Sequence, residues 1–367
     1  MTLEQRIRGA MTVADALGLG RTLRAPSGID LCSNDYLGLS SHPLVLERMA
    51  EGVRTEGAGS TGSRLLRGER ESFRAIERSF AGFKRAERAI YFSSGYLANI
   101  AVLSTLTQAG DVIFSDELNH ASLIDGARLS KARRVIFPHL DVAALRETLG
   151  KVDGQKFVVT ESLFSMDGDF APLRAYAELC REHRATLIVD EAHAVGVCGA
   201  RGSGCLEAEG IEHESVISIN AAGKALGVAG AFVCGPDWAI EYLVQRARPF
   251  VFSTAAPPCM AGAIGAALHI VETEPERREY VQALAGRLNS ASQIVPYRLG
   301  ENERAVMVAE TLQREGFDVR AIRPPTVPEG TARLRISLNT NLTFQILDRF
   351  SAALDRAVQD SACVASS

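Results

Sequence analysis

The feature that most constrains this chain is a regular alternation that begins near residue 86. Short apolar runs at residues 89–92, 111–114, 134–137, 156–159 and 186–189 are separated by stretches with helical spacing, such as residues 173–183. The runs are rich in β-branched and aromatic side chains, and each ends in polar or Gly-containing turn residues. A chain with this pattern builds βα units on a parallel sheet buried on both faces. Two further runs, 216–219 and 231–234, are separated by only eleven residues. That is short for a helical crossover, so the second is expected to be antiparallel. After Pro257 and Pro258 helical spacing continues to about Thr273. The remainder reads as strands near residues 293–297, 319–322 and 333–338, a helix over 303–314, and a last amphipathic helix from Thr343. The expected fold class is α/β: a mainly parallel, doubly wound, seven-stranded sheet with a smaller C-terminal α/β domain.

Composition limits the classes of function. The 367 residues, 46% hydrophobic and 23% charged, suffice for a large and a small core of a soluble protein. A net charge of −4 and a pI near 6.0 give no reason to expect a nucleic-acid partner. Arg64, Arg67 and Arg70 form a local basic run, readable as a receiver of an anionic substrate or as a solvated helix face. The seven cysteines are scattered, odd in number and without a C-x-x-C pair. That speaks against a disulfide framework and against a zinc cluster. No apolar run is long enough to span a membrane, and the first twenty residues read as a mixed-charge helix rather than a signal peptide. A reducing, cytoplasmic setting is expected.

In open α/β sheets ligands bind beyond the carboxyl ends of the strands, so the polar residues after each apolar run are the candidates. The run at 186–189 ends in Asp190-Glu-Ala-His193. A carboxylate there suits a cationic ring nitrogen, and His193 can reach a neighbouring ring oxygen; a metal site and a structural ion pair are the other readings. The run at 216–219 leads to Asn220-Ala-Ala-Gly-Lys-Ala-Leu-Gly227. Small residues around Lys224 admit a planar group, and a desolvated lysine can act as nucleophile and base. A surface lysine in a Gly-rich loop is the alternative, weakened because Asp190 and Lys224 follow consecutive strands. Ser94, Gly95 and Tyr96 open a helix whose first N–H groups suit a phosphate, although Ser-Gly starts are also common caps. His120, after the run at 111–114, is placed to stack on an aromatic ligand. His42, His139, His183, His213 and His269 are read as structural.

These segments resemble the α-oxoamine synthase family of fold-type I pyridoxal-phosphate enzymes over nearly the whole chain. The resemblance is carried by Leu31-Cys-Ser-Asn-Asp-Tyr-Leu-Gly-Leu39, Gly57-Ala-Gly-Ser-Thr-Gly-Ser-Arg64, Glu161-Ser-Leu-Phe-Ser-Met-Asp-Gly-Asp169, Asp190-Glu-Ala-His-Ala-Val-Gly196 and Gly223-Lys-Ala-Leu-Gly227. A C-terminal motif, Arg323-Pro-Pro-Thr-Val-Pro-Glu-Gly-Thr-Ala-Arg-Leu-Arg-Ile-Ser-Leu338, completes it.

The resemblance implies pyridoxal 5'-phosphate held as a Schiff base on Lys224, with Asp190 at the pyridine nitrogen and His193 and Ser165 at the phenolic oxygen. It also implies His120 stacked on the ring, Ser94, Gly95 and Tyr96 at the phosphate, and Asn34 and Arg335 at an amino-acid carboxylate. Thr254 matches a hydroxyl that reaches the phosphate of a neighbouring subunit, so a homodimer with shared sites is implied. The domains expected are an N-terminal helix and arm over 1–40, a large cofactor-binding domain over 41–250 and a small domain with a connecting helix over 251–367.

The implied reaction condenses an amino acid with an acyl thioester and releases carbon dioxide. The C-terminal motif looks most like members using L-alanine and a pimeloyl thioester, ahead of those using glycine and acetyl-CoA. An aminotransferase would share Lys224 and the fold but need no thioester, and a silent partner subunit would be expected to lack the lysine. One departure stands out. Where the family has a phosphate-binding threonine three residues before the lysine, this chain has Ala221. The missing hydrogen bond is worth about 1.5–3 kcal/mol because its acceptor is charged. Asn220 is the neighbour placed to compensate.

Overall fold

The computed structural model describes residues 1–212 and 216–365; His213 therefore lies outside the described residues. The chain forms two compact units, one of residues 1–33, 166–168 and 280–367, the other of residues 34–165 and 169–279. Helix α1 (Leu3–Ala16) and the two-residue strand β1 (Ile29–Asp30) open the smaller unit.

The larger unit then begins with α2 (Pro43–Glu56) and α3 (Glu71–Lys84), followed by β2 (Arg88–Phe92), α4 (Gly95–Leu106), β3 (Val112–Asp116) and α5 (Ala121–Leu129). It continues through β4 (Arg133–Phe137), α6 (Val142–Leu149), β5 (Lys156–Glu161), α7 (Leu173–His183) and β6 (Ala185–Asp190). A short α8 (Cys205–Ala208), β7 (Val216–Ala221), β8 (Ala231–Gly235), α9 (Asp237–Arg246), α10 (Arg248–Val251) and α11 (Cys259–Thr273) complete it. The seven strands lie in the order β2-β8-β7-β6-β5-β3-β4. Strand β8 pairs antiparallel with both neighbours, as the short connection requires, and the other pairings are parallel. Strands β3 and β7 are buried at every position, which explains their nearly continuous apolar sequence. On one face Ile113, Val159 and Ile219 pack with Ala98, Val102 and Leu243. On the other, Phe114, Val158 and Val189 pack with Leu145, Tyr176 and Leu179.

Two expectations need correction here. The boundary does not fall at residue 250, because α11 belongs to the larger unit. Helices α2 and α11 cross where a Cβ on Gly52 would lie 2.7 Å from Cys259 Cα, so only glycine admits the approach. The segment 1–40 is not a separate arm either. Its first 33 residues join the smaller unit, where β1 pairs in parallel with β10 (Phe317–Asp318).

Arg64 is neither solvated nor open to an anion. Its guanidinium bonds Glu69 at 2.6 Å and Glu77 at 2.9 Å and lies 4.8 Å from the centre of the Phe73 ring.

The rest of the smaller unit comprises α12 (Glu276–Arg287, which begins in the larger unit), β9 (Ile294–Gly300), α13 (Asn302–Arg314), β11 (Ala321–Ile322), β12 (Ala332–Ser337) and α14 (Phe344–Ala365). The run at 319–322 is not one strand. Val319 N–H bonds back to Phe317 O at 3.1 Å, and that turn sends β10 to β1 and β11 to an antiparallel sheet with β12 and β9. Leu31, Leu312, Phe317, Leu334 and Phe350 share its core.

Candidate active site

The tips of β2, β5, β6 and β7 in the larger unit surround a cavity of about 260 Å³. Its wall includes Ser94, Gly95, Tyr96, His120, Glu161, Asp190, Ala221 and Lys224. Six of these, Ser94, Gly95, Tyr96, His120, Asp190 and Lys224, were singled out from sequence for a cofactor. Their convergence follows from the parallel strands, which deliver every carboxyl end to one edge of the sheet.

Lys224 Nζ lies 2.7 Å from His193 Nε2, and His193 Nδ1 lies 2.7 Å from the Tyr36 hydroxyl. That hydroxyl donates to Asn34 Oδ1 at 3.0 Å. Its oxygen therefore accepts from Nδ1–H, which leaves Nε2 to accept from the Lys224 amine. The result is a chain of contacts from Lys224 through a neutral imidazole to Asn34. Tyr36 was not recognised from sequence as part of the site; its signal was present in Ser33-Asn34-Asp35-Tyr36.

Asp190 is fixed by Asn99 Nδ2 at 2.7 Å and by the backbone N–H of Ala192 at 2.9 Å. Asn99, on the first turns of α4, also donates to Ser122 Oγ at 2.8 Å. Ser122 in turn supports His120: its N–H donates to Nδ1 at 3.2 Å. Burial pushes the His120 imidazole below its usual range; Asp190 opposes the shift and Lys224 adds to it. His120 thus presents an uncharged ring edge-on to Tyr96, at 78°. In these bonds Asp190 and His193 take different partners. Among the described residues no cluster of three His, Cys, Asp or Glu is disposed to hold a metal.

Helix α4 begins at Gly95 with Ser94 as its cap, the Ser94 hydroxyl accepting from Leu97 N–H. The N–H groups of its first turn face the cavity end, a setting suited to a phosphate. Ala221 lines that end as well, 3.8 Å from where a Gly95 Cβ would stand. Asn220 does not compensate for the missing threonine, since its amide donates inward to Ser218 at 3.0 Å and to Phe232 O at 3.4 Å.

Ser165 is buried four residues beyond Glu161, the last residue of β5. Thr254 lies elsewhere in the larger unit, beside Arg64, Tyr91 and Phe250. Arg335 belongs to the smaller unit, on β12, where it donates to Ser337 Oγ at 2.6 Å.

A nucleophilic amine, a fixed carboxylate, an uncharged imidazole wall and a helix N-terminus form one donor set. It fits a planar group carrying an electrophilic carbonyl, a basic ring nitrogen and a phosphate, which are the parts of pyridoxal phosphate.

Residues 26–354 match the family described as Aminotransferase class I and II. The 8-amino-7-oxononanoate synthase of Burkholderia mallei (strain SAVP1) is 45% identical over 95% of this chain and 94% of that protein. The chain belongs to the class I and II aminotransferase family, among its α-oxoamine synthases. The solved 8-amino-7-oxononanoate synthase of Francisella tularensis is 32% identical and covers 92% of this chain and 99% of its own, with a TM-score of 0.80. A lysine-to-alanine variant of serine palmitoyltransferase from S. paucimobilis, with a bound PLP–myriocin aldimine, is 28% identical. It covers 99% of this chain and 100% of its own with a TM-score of 0.92. The α-oxoamine synthase fold thus extends over both units. No helix among the described residues is long and apolar enough to cross a membrane.

Proposed function

We propose that this α-oxoamine synthase binds pyridoxal phosphate and condenses L-alanine with a pimeloyl thioester. The products are 8-amino-7-oxononanoate, carbon dioxide and the free thiol carrier, a step of biotin synthesis. The observation that carries the reading is the placement of Lys224, 2.7 Å from His193 and in one cavity with Asp190 and His120. The 45% identity to the Burkholderia enzyme supports the choice of substrates.

Pyridoxal phosphate, when bound, supplies a conjugated ring that accepts electron density from the α-carbon of the amino acid. Lys224 is the base in this reading. Its amine takes the α-proton at Nζ, with His193 Nε2 beside it to orient that atom. Asp190, held by Asn99 and Ala192, keeps negative charge at the ring-nitrogen position. His120 walls the cavity as a neutral ring, which excludes water without adding a charge. The first turn of α4 holds the phosphate, with Ser94, Gly95 and Tyr96 around it. Ser165 and His193 belong to the phenolic-oxygen side. Asn34 and Arg335 are assigned to the substrate carboxylate, Arg335 as a bidentate fork. Thr254 is assigned to the phosphate of a partner subunit in a homodimer. A cytoplasmic setting completes the reading, supported by six cysteines that are free thiols among the described residues.

The test mixes purified protein with L-alanine and pimeloyl-CoA and follows thiol release. Release with this pair, faster than with glycine and acetyl-CoA, is the expected result. Lys224→Ala should lose the visible cofactor band and at least about 10³-fold in rate. No thiol release with any pairing of amino acid and acyl thioester overturns the reading.

A further inference from the structure

Two sequence motifs meet in the larger unit beside the Lys224 turn. Asp35 lies in the first, between Asn34 and Tyr36, and Gly227 closes the second, three residues after Lys224. Asp35 Oδ1 accepts from the Leu39 N–H at 2.9 Å, and Oδ2 accepts from the Ser40 N–H at 3.1 Å and the Ser40 hydroxyl at 2.6 Å. The Gly38 N–H donates to Asp35 O at 3.0 Å, so residues 35–40 form one closed turn, with Leu37 and Leu39 buried in the core. Gly227 rests on the peptide between Leu39 and Ser40. A Cβ on Gly227 would stand 2.3 Å from Ser40 N and 2.7 Å from Leu39 C, and its φ is +66°. The peptide that Gly227 touches is thus the one whose N–H is bound by Asp35. On its other side, the Gly227 N–H donates to Lys224 O at 2.8 Å. Val228 N–H donates to Ala222 O at 2.9 Å, and Ala222 N–H to Gly230 O at 2.8 Å. Residues 222–230 are therefore closed on themselves, and a shift at Gly227 is passed to Lys224.

We propose that Asp35 is a positioning residue whose carboxylate folds residues 35–40 into the seat on which Gly227 rests, and so fixes where the Lys224 amine meets the cofactor. The inference rests on the reading of this cavity as a pyridoxal-phosphate site. Hydrogen bonds to an ionised carboxylate are stronger than those between neutral groups, and three of them converge on Asp35. The same turn acts on Lys224 from a second side. Tyr36, the next residue, holds His193 Nδ1 at 2.7 Å, and His193 Nε2 lies 2.7 Å from Lys224 Nζ. Asp35 therefore stands where the support of the imidazole and the support of the lysine turn have a common origin. Two segments about 190 residues apart in sequence form one joint, which accounts for an acid and a glycine that touch no reacting atom.

Asp35→Ala removes the three acceptor contacts, whereas Gly227→Ala sets a methyl against the Ser40 peptide and leaves the carboxylate in place. Amide hydrogen exchange of the full chain is read at Gly227, whose N–H closes the Lys224 turn and makes no bond to Asp35. Asp35→Ala is expected to speed exchange there at least about tenfold. In the holoenzyme, each variant should move the pH midpoint of the visible cofactor band by about half a unit or more. Turnover per bound cofactor should fall at least about tenfold in each. Because both changes act on one joint, the double variant should lose much less than the product of the two single losses. Wild-type exchange at Gly227 and a wild-type band midpoint in Asp35→Ala, with only a lower melting temperature, would mean a merely structural turn and overturn the proposal. Losses that multiply in the double variant would also overturn it, since the two residues would then act independently. If Asp35→Ala does not fold, Asp35→Asn, which removes the charge and one acceptor oxygen, carries the same expectations at about threefold. If the wild-type protein holds no cofactor, the functional reading fails, and exchange at Gly227 alone decides whether Asp35 holds the lysine turn.

Discussion

Tyr36 shows how much of a site can hang on one hydroxyl. It is fully buried, and it joins His193 Nδ1 at 2.7 Å to Asn34 Oδ1 at 3.0 Å. Tyr36→Phe keeps the ring and removes both links. The imidazole beside Lys224 then loses the partner that fixes its tautomer, at a cost of about 1–3 kcal/mol. Turnover is expected to fall about tenfold or more and the melting temperature by a few degrees, as read by steady-state kinetics beside a thermal melt. Ala221 points the other way. Its side chain faces the phosphate end of the cavity, so Ala221→Thr restores a hydroxyl there. One charge-assisted hydrogen bond of about 1.5 kcal/mol predicts roughly tenfold tighter cofactor binding, measurable by titrating the apoprotein with pyridoxal phosphate. Residues at strand tips, namely Asp190, His120 and Lys224, were legible because the strands themselves were. Tyr36 and Glu161 were not. Each takes its part from partners brought together by the fold, as His193, far from Tyr36 in sequence, shows.

At the scale of elements, the same limit separates strands from their supports. Most strands of the main sheet were visible as apolar runs because burial on both faces forces a continuous hydrophobic sequence, whereas the edge strand β4 is largely exposed and shows as only a short run. Helix α3 went unrecognised although Phe73, Ile76, Phe80 and Phe83 line its buried face, since it precedes the first strand of the alternation. The two-residue strands β1 and β10 exist only through their pairing, which local sequence cannot show. Helix α3 also carries the Lys84 side chain into the protein. Lys84 is ion-paired with Glu191 and donates to Ser203 O, with both side chains almost wholly buried. Glu191 Oε1 accepts from Leu206 N–H at 3.0 Å. A Cβ on Gly204 would stand 2.5 Å from that oxygen, so the segment can approach only as glycine. The pair therefore staples α3 and the 203–206 segment to the turn that carries Asp190 and His193. Lys84→Met strands a buried carboxylate and is expected to cost about 3–5 kcal/mol, whereas adding Glu191→Leu should recover most of the loss. Chemical denaturation midpoints of the three proteins check both halves of the expectation.

At the scale of the whole molecule, one half-buried and one buried group tie stability to pH in the same direction. His139 sits between Asp116, at 2.9 Å, and Asp169, at 3.1 Å. Burial alone would lower its imidazole, but hydrogen bonds and charge from the two aspartates overcome that and raise it to about 10. The folded chain thus holds this proton more tightly than the unfolded chain. Its stabilisation is complete below the ordinary value of 6.5 and is lost as pH rises through about 10. Glu161 adds to the trend on the acid side. Raised from 4.5 to about 8, it is protonated in the fold where the unfolded chain is ionised, so stability falls with rising pH across that interval. The melting temperature of the full chain should therefore decline from mildly acidic pH to pH 10 rather than peak near neutrality. Glu161→Gln should flatten the fall between about pH 4.5 and 8, because its side chain no longer releases a proton on unfolding. His139→Gln should lower the melting temperature at pH 6 and flatten the fall between about pH 6.5 and 10. Melts of the three proteins across this range decide the matter: a wild-type profile that rises from pH 6 to 10 would show that neither group governs it.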